Sequence, residues 1–373
     1  MKFTVNKNDI LDVLSKIQGL TINRKSNLAI TEAVLVRASD SEIILTATDL
    51  ETGFEGSYPA LIETDGAIAI NAKRLYEIVR NFPVDKITLN EVENNWFNIG
   101  NENVNYNIVG MNPSDFPDIP NIEDIDFFKI DSKSFKLMID RSLIISAATD
   151  EKRAHINGVL FEIIINKDEK IVRMVSTDGS RLSSVDYIYK TDSYLPSNMG
   201  IIIPKKGLYE VSKFLTKEGF VQVGVKNNNF VIKKDKEIII IRLLEGDFPE
   251  YKDVIKKKDL YIINLDKNLF LMMLKRMSIL SSEDYKSAIF NFSDKKLIIT
   301  TTNPDIGESK EEIEIDFKGK PMEIAFNPKF FIDTLNAIDD DIININILNE
   351  ERPCLIEGEN DKSFLSVIMA MKI

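Results

Sequence analysis

The chain has 373 residues, is 44% apolar and 28% charged, and carries a net charge of -12. Its length predicts two or three domains with sizeable cores, and its acidic balance excludes a uniformly basic nucleic-acid binder but not a basic patch. One cysteine, Cys354, and one histidine, His155, exclude a disulfide framework and a metal site built from several of these residues. The motifs of phosphate loops, dinucleotide-binding folds, zinc proteases and nucleophile elbows do not occur.

The sequence indicates neither a membrane span nor a secretory segment. No apolar run reaches about 18 residues, and polar residues 6–9 follow the short apolar start of the chain. We therefore expect a reduced, cytoplasmic protein.

The first predicted elements form a β-α-β-β unit. A strand that alternates at Phe3 and Val5 leads into a helix whose apolar residues recur at i, i+3, i+4 and i+7. Further strands are predicted at residues 33–36 and 43–45, where apolar residues cluster. A helix with one apolar stripe can bury it against the apolar face of an antiparallel sheet.

A second β-α-β segment of the same plan, with one more strand, follows directly. A strand at residues 67–70 leads into a helix from Ala72 to Phe82, and Asn71 stands where a helix N-cap belongs. Its later strands are predicted at residues 86–89, 96–99 and 106–109. Each third of the chain is therefore expected to hold two β-α-β-β-β units.

This plan recurs at spacings close to one third of the chain. Lysine occupies the third position of three similar segments, at Lys73, Lys206 and Lys329. A Thr-Asp or Thr-Asn pair recurs at residues 48–49, 177–178 and 302–303, and Asp-Phe-Pro recurs at residues 115–117 and 247–249. Three signatures in the same order favour three tandem copies of one α+β domain over chance similarity. We place these domains at residues 1–125, 126–257 and 258–373.

Bases occupy equivalent helix positions in this repeat. One position holds Lys16, Arg141 and Arg276, and another holds Lys73, Lys206 and Lys329. The bases can form a basic surface on an acidic body, or they can belong to ordinary solvated helix faces with i,i+4 ion pairs. Repetition at equivalent places makes the two interpretations about equally favoured.

Seven segments, taken in order, form a specific set. They are MKFTV at residue 1, TATDLE at 46, INGVLFE at 156, STDGSRL at 176, IPKKG at 203, GDFPEY at 246 and VIMAMKI at 367. Together they resemble the beta sliding clamp family of bacterial DNA polymerase III. The resemblance runs from end to end of the chain.

The resemblance implies three clamp domains in each chain of a homodimer that closes head to tail into a ring. Helices would line the hole, and antiparallel sheets would lie outside. It implies a processivity factor without catalytic site or cofactor, which encircles duplex DNA and slides, because phosphate contacts carry no sequence information. The implied partners are the replicative polymerase catalytic subunit, the clamp-loader complex, and other polymerases and repair proteins carrying short clamp-binding motifs.

The resemblance also implies the positions of three sites. The peptide-binding groove would hold Ile156, Thr177, Gly179, Ser180, Arg181, Leu182, Pro249, Val254, Val367, Met369 and Met371. DNA contacts would come from Arg24, His155, Lys205 and Lys206, to which the repeat adds Lys73, Arg74, Arg80 and Arg141. The dimer interface would hold Tyr106, Ile279, Leu280, Glu308 and Glu311.

Three groove positions, Ser180, Asp253 and Ala370, depart from the family pattern. Without the resemblance, residues 177–179 would predict a tight turn and residues 367–371 a last core strand.

The sequence leaves two other functions open besides that of a clamp. One is a repeat adaptor that binds peptides but never encircles DNA, and the other is an acid hydrolase that uses Asp49 or Asp178. Nothing in the sequence places a second carboxylate beside either of these, so the hydrolase is the weakest hypothesis.

Overall fold

The computed structural model describes residues 1–21, 28–92, 95–120, 123–146, 153–166, 169–190, 194–197, 199–282 and 286–371. The side chains of residues 154 and 155 lie outside the description. The chain divides into two compact units, which we call the first unit (Met1–Lys136 and Lys206–Leu243) and the second unit (Leu137–Lys205 and Leu244–Ile373). The predicted boundaries at residues 125/126 and 257/258 remain predictions.

The elements of the first third of the chain are strands and three helices. The strands are β1 (Lys2–Asn6), β2 (Ala33–Ser39), β3 (Glu42–Thr48), β4 (Thr52–Pro59), β5 (Leu61–Thr64), β6 (Gly66–Asn71), β7 (Lys86–Glu91), β8 (Trp96–Gly100) and β9 (Asn105–Val109). The α-helices are α1 (Lys7–Lys16), α2 (Gln18–Thr21) and α3 (Ala72–Asn81), and single turns of 3₁₀ helix lie at Ala29–Glu32 and Pro113–Asp115.

The middle third repeats this alternation. Its strands are β10 (Phe128–Asp131), β11 (Gly158–Ile165), β12 (Lys170–Thr177), β13 (Arg181–Ile188), β14 (Gly200–Pro204), β15 (Phe220–Lys226), β16 (Asn229–Lys234) and β17 (Glu237–Arg242). Its helices are α4 (Ser132–Ser142), α5 (Ala154–Asn157) and α6 (Lys205–Phe214).

The last third has the same plan again. Its strands are β18 (Tyr261–Asp266), β19 (Ala288–Ser293), β20 (Lys296–Asn303), β21 (Gly307–Glu314), β22 (Met322–Phe326), β23 (Ile342–Ile347), β24 (Cys354–Gly358) and β25 (Phe364–Ile368). Its helices are α7 (Lys267–Met277) and α8 (Pro328–Asn336), with a 3₁₀ turn at Ser278–Leu280.

Within the described residues, each unit contains two antiparallel sheets. In the first unit the strand orders are β5-β1-β7-β8-β9 and β10-β15-β16-β17-β4-β3-β2-β6. In the second unit they are β14-β11-β12-β13-β25-β24-β23-β18 and β21-β20-β19-β22. Each longer sheet joins strands from two successive thirds of the chain, through the pairs β17–β4 and β13–β25. The α+β prediction is confirmed.

The helices form where the sequence supplies a cap and an apolar stripe. The side-chain oxygen of Asn71 accepts a hydrogen bond from the backbone N–H of Arg74 at 3.0 Å, and helix α3 buries Ala72, Leu75 and Val79. Burying one face in this way stabilises a helix that is too short to persist alone. The predicted N-cap is confirmed, and an asparagine also caps α8.

The predicted strands of the first third are all present, each within about three residues of its predicted bounds. Strands β4 and β5 were not located from the sequence, and the four residues of β5 are mostly exposed and show no apolar alternation. Strand β5 is the outer neighbour of β1 and belongs to the edge of its sheet. In the described part of the chain, every helix falls short of the length or apolarity needed to cross a membrane.

Candidate functional site

A tight turn at residues 177–181, where β12 ends and β13 begins, is the first part of the candidate site in the second unit. The hydroxyl of Thr177 accepts a hydrogen bond from the N–H of Gly179 at 3.0 Å. One carboxylate oxygen of Asp178 accepts hydrogen bonds from the N–H groups of Ser180 and Arg181, both at 3.0 Å. Gly179 has φ +88, a conformation that glycine adopts without steric cost. The turn predicted from residues 177–179 is therefore present, and its own side chains fix its shape.

An apolar cleft of about 200 Å³ lies beside this turn. Strand pairing puts Leu182 of β13 opposite Val367 of β25, and both side chains line the cleft. Phe248 and Tyr251 form the facing wall, with ring centroids 6.2 Å apart in an edge-to-face arrangement. Val367 is buried and Leu182 nearly so. The cleft thus has a firm apolar floor that belongs to the protein core.

The wall residue Tyr251 is held from behind by a polar network. Its hydroxyl hydrogen-bonds a carboxylate oxygen of Glu162. Burial, reinforced by that hydrogen bond, raises the pKa of Tyr251 above its ordinary value. The neighbouring Arg173 donates two hydrogen bonds to Asp186, at 2.6 and 2.7 Å. Tyr251 therefore stays neutral, and its ring is fixed as part of the wall.

Arg181 lines the cleft, but its guanidinium is committed to the protein itself. It pairs with Asp178 at 3.0 Å and with Asp333 at 2.7 Å. It also stacks over the ring of Phe330, 4.3 Å from the centroid. Only 7% of the residue is exposed. Arg181 therefore braces the turn, and its charge is already balanced before any ligand arrives.

Most of the residues predicted for the groove lie together in this cleft. Those that line it are Thr177, Gly179, Arg181, Leu182, Pro249, Val254, Val367 and Met369. The other three predicted residues do not line the cleft. Ile156 is buried, and the carbonyl of Ser180 accepts a hydrogen bond from the N–H of Met369 at 2.9 Å. The N–H of Met371 donates to the carbonyl of Ala325. The groove assignment itself stays a prediction.

Three lining residues, Phe248, Glu250 and Tyr251, were not assigned to the groove from the sequence. The signal was present, since all three belong to the GDFPEY segment, from which only Pro249 was carried over.

The bases predicted to contact DNA have different surroundings. Lys73, Arg74 and Arg80 are exposed on α3, and no carboxylate of the described residues pairs with them. Lys206 is half exposed and pairs with Asp49. Arg24 lies outside the described residues, and so does the side chain of His155, whose backbone belongs to α5.

The assignment of Arg141 to a DNA-contacting surface is wrong. The residue is 2% exposed, and its guanidinium pairs with Asp361 at 2.7 Å and with Asp339 at 3.5 Å. It also donates to the carbonyl of Ala337 at 3.2 Å and lies over the ring of Phe364. A guanidinium enclosed in this way holds the second unit together and has no face left for a phosphate.

The assignment of Lys205 is wrong for the same reason. Lys205 is 3% exposed, and its amino group donates to the carbonyl of Ile156 at 2.7 Å and, more weakly, to that of Thr177 at 3.5 Å. Burial lowers the pKa of this amine to about 8, although the nearby Asp178 opposes the shift. Lys205 therefore ties helix α5 to the turn that borders the cleft.

The residues predicted for the dimer interface lie at exposed edges. Tyr106 is exposed on β9, the outer strand of its sheet in the first unit. In the second unit Ile279 is 74% exposed, and Leu280 beside it is half-buried. Glu308 is exposed on the edge strand β21, whereas Glu311 of the same strand accepts a hydrogen bond from Arg276 at 2.9 Å.

Comparison with known proteins gives consistent results along the whole chain. Three family models match in order: the N-terminal, central and C-terminal domains of the DNA polymerase III beta subunit, at residues 1–120, 129–250 and 252–372. The chain is 26% identical to the beta sliding clamp of Chlamydia pneumoniae, over 100% of this chain and 99% of that one. It is also 26% identical to the beta sliding clamp of Escherichia coli K12, over 100% of both.

Solved structures agree with these relatives. A putative DNA polymerase III beta subunit from Eubacterium rectale is 30% identical, with a TM-score of 0.91 over 100% of both chains. The beta subunit from Pseudomonas aeruginosa is 25% identical, also with a TM-score of 0.91 over 100% of both. A sliding clamp from Bartonella birtlesii, solved bound to griselimycin, matches equally well at 25% identity.

Proposed function

The chain belongs to the family of DNA polymerase III beta subunits, non-catalytic processivity factors of DNA polymerase, and from this we propose that two copies close into a ring around duplex DNA. The observation that carries the proposal is the group of bases on α3, Lys73, Arg74 and Arg80, which are exposed and have no carboxylate partner among the described residues. They stand out on a chain with a net charge of -12.

These bases suit a sliding contact. Lysine and arginine side chains neutralise phosphates without reading bases, so the contact is similar at every position along the duplex. An acidic body around a basic surface repels DNA elsewhere and so favours one path for the duplex. Lys206 adds to this set when its pair with Asp49 exchanges for a phosphate.

Ring closure would use the two edge strands. We infer that β9 of one copy meets β21 of the other, because outer strands carry unpaired backbone groups that a second strand can satisfy. Exposed apolar residues, Tyr106 and Ile279, would be covered by this contact. Such a head-to-tail contact made twice closes a dimer.

The apolar cleft of the second unit would receive partner proteins. An exposed methionine wall at Met369 and an apolar floor at Leu182 and Val367 favour short apolar and aromatic peptide segments, since methionine adapts its shape to different side chains. We propose that the replicative polymerase catalytic subunit, the clamp-loader complex, and other polymerases and repair proteins bind here. The second candidate, a peptide-binding adaptor that never encircles DNA, rests on the same cleft.

The experiment that separates these two functions is topological. Protein loaded onto nicked circular plasmid by its clamp loader is isolated by gel filtration, and the plasmid is then cut once. A ring leaves the linear DNA over its ends, whereas it stays on the circle. Equal retention on both forms, or none on either, would favour the adaptor.

The α3 bases are tested by loading onto the same plasmid and by direct binding to duplex DNA over a range of salt concentrations. Changing Lys73, Arg74 and Arg80 to Glu should reduce loading and should lower the log–log slope of binding against salt by about one unit for each phosphate that is no longer neutralised. The control carries three Glu substitutions at exposed lysines outside the helices of the same unit, Lys86, Lys129 and Lys217. An equal reduction in both triple variants would show that net charge alone matters.

A further inference from the structure

A second cleft, of about 340 Å³, lies in the first unit beside a turn built like that of the candidate site. The hydroxyl of Thr48 accepts from the N–H of Leu50 at 3.0 Å. One carboxylate oxygen of Asp49 accepts from the N–H groups of Glu51 and Thr52, at 3.0 and 2.6 Å. These are the bonds, residue for residue, that shape the Thr177–Arg181 turn.

The walls of the two clefts also correspond. In β4 and β17, Gly53 lies opposite Ile240, as Leu182 lies opposite Val367 in β13 and β25. All four of these residues line their clefts. The proline of each Asp-Phe-Pro segment lines its cleft as well. The repeat that builds the domains therefore builds this cleft twice.

The two clefts differ in room and in polarity. Gly53 stands where the other cleft has Leu182, which leaves the first-unit cleft wider. Arg242, two residues beyond Ile240, stands where the other cleft has Met369. A ligand of the first-unit cleft must therefore offer polar groups as well as apolar ones.

The charges around the first-unit cleft are mainly acidic. Glu51, Asp118 and Arg242 line it, and among the described residues no side chain of opposite charge pairs with any of them. The whole first unit, which also supplies the lining residues 227–242, contains 21 Lys and Arg against 25 Asp and Glu, so the surrounding field adds only slightly to the two carboxylates. This balance favours a cationic ligand.

Leu50 gives a second, independent indication. Its φ is +76, at the position where the other turn has Gly179. A bulky residue in this conformation is strained, and such strain collects at functional positions. Leu50 is nevertheless 49% exposed and presents its side chain at the edge of the cleft. The exposed side chain of Leu50 thus lies at the cleft although its backbone conformation is strained.

We propose that the first-unit cleft is a second peptide-binding site, which takes short extended segments of partner proteins that carry a lysine or arginine beside an apolar residue. The apolar residue packs against Leu50 and Ile240, and the base pairs with Glu51 or Asp118. Arg242 limits the affinity for such a segment. The site stands on its own contacts and does not depend on peptide binding in the second unit.

The test uses three fluorescein-labelled pentapeptides and fluorescence anisotropy on the full chain. Their sequences are Leu-Lys-Ala-Leu-Lys, Leu-Gln-Ala-Leu-Gln and Leu-Glu-Ala-Leu-Glu. The lysine peptide should bind tightest. The double variant Glu51→Gln, Asp118→Asn should weaken binding of the lysine peptide about fivefold, because it removes two partly exposed ion pairs. Arg242→Met should tighten it.

Matched variants separate binding from folding and from the other cleft. Asp65→Asn with Glu102→Gln removes two exposed acids outside the cleft and should change the affinity little. Leu50→Gly should weaken binding of the lysine peptide without lowering Tm, because glycine relieves the backbone strain at this positive φ. Deleting residues 369–373 removes Met369 from the second-unit cleft and breaks the Met371–Ala325 backbone pair, both outside the first unit, and should leave the lysine peptide bound.

Two outcomes would overturn the proposal. The first is tightest binding of the glutamate peptide, and the second is an equal decrease of affinity in the cleft variant and its acid-matched control. Repeating the titrations on the chain that lacks residues 369–373 assigns either result to the first-unit cleft, so neither result bears on the ring or on the proposed second-unit site.

Discussion

The amine of Lys205 is a buried cation held by carbonyl groups rather than by a paired carboxylate. Removing an amine from water penalises its charged form, which is why burial lowers its pKa to about 8. The carbonyls of Ile156 and Thr177 remain acceptors for the neutral amine as well. The residue therefore fixes the turn at any pH, while its protonation adds a pH-dependent contribution to stability.

The sign of that contribution follows from the direction of the shift. Between about pH 8 and pH 10.5 the unfolded state binds the Lys205 proton and the folded state does not, so the free energy of unfolding rises with pH in this window. Relative to Lys205→Met, wild type should gain up to about 3 kcal/mol across it, at 1.36 kcal/mol per pKa unit. Urea titrations of both proteins at pH 7.5, 9 and 10.5 would measure this, and parallel pH profiles would contradict it.

Arg141 shows why the sequence could not separate buried bases from exposed ones. The repeat places Arg141 in one helix position with Lys16 and Arg276, and the spacing of apolar residues is consistent with an outward-facing base in all three. What encloses Arg141 is Asp361 and the carbonyl of Ala337, about 200 residues further along the chain. Helical periodicity gives no information on contacts at that separation.

At the scale of elements, the cleft of the second unit combines parts of unequal predictability. The Thr177–Arg181 turn is local, because its own side chains satisfy its backbone, so residues 177–179 were enough to predict it. The cleft itself needs β13 to pair with β25 and needs Tyr251 to pack across from them. The family resemblance, and not the residue pattern, placed Leu182, Pro249 and Val367 in one groove in advance, but it did not assign Tyr251.

Two methionines of the C-terminal segment provide a matched test of the cleft. Met369 lines the cleft and Met371 does not, although the two residues are almost equally exposed, at 40% and 38%. Met369→Ala should weaken an apolar, aromatic peptide about tenfold, because it removes roughly 50 Å² of apolar contact at about 25 cal/mol per Å². Met371→Ala should leave the affinity within about twofold.

Isothermal titration calorimetry of one neutral peptide against the wild type and both alanine variants would measure the difference in peptide affinity. Equal effects of the two substitutions would move the binding site away from this cleft.

At the scale of the whole molecule, β9 in the first unit and β21 in the second are outer strands with exposed apolar residues on or near them. Strand β9 carries Tyr106 and Val109 at the edge of the first-unit sheet, and Ile279 lies close to β21 in the second unit. Long exposed edges invite pairing with another chain unless they are covered. Because one edge belongs to each unit, a second copy can cover both, and the proposed ring would leave neither exposed.

The mass of the native particle decides whether this pairing occurs. Wild type should sediment at twice the chain mass of 42.5 kDa. Ile279→Ala with Leu280→Ala should shift it towards the monomer, since large-to-Ala changes cost about 2–5 kcal/mol each when the site is fully buried, and the ring contains the contact twice. The control, Ile165→Ala with Ile262→Ala, removes two exposed isoleucines of the second unit that lie away from β21, and it should remain dimeric. A dimer that survives the first double substitution at nanomolar concentration would place the interface elsewhere, and a wild-type monomer would leave duplex DNA without an enclosing ring.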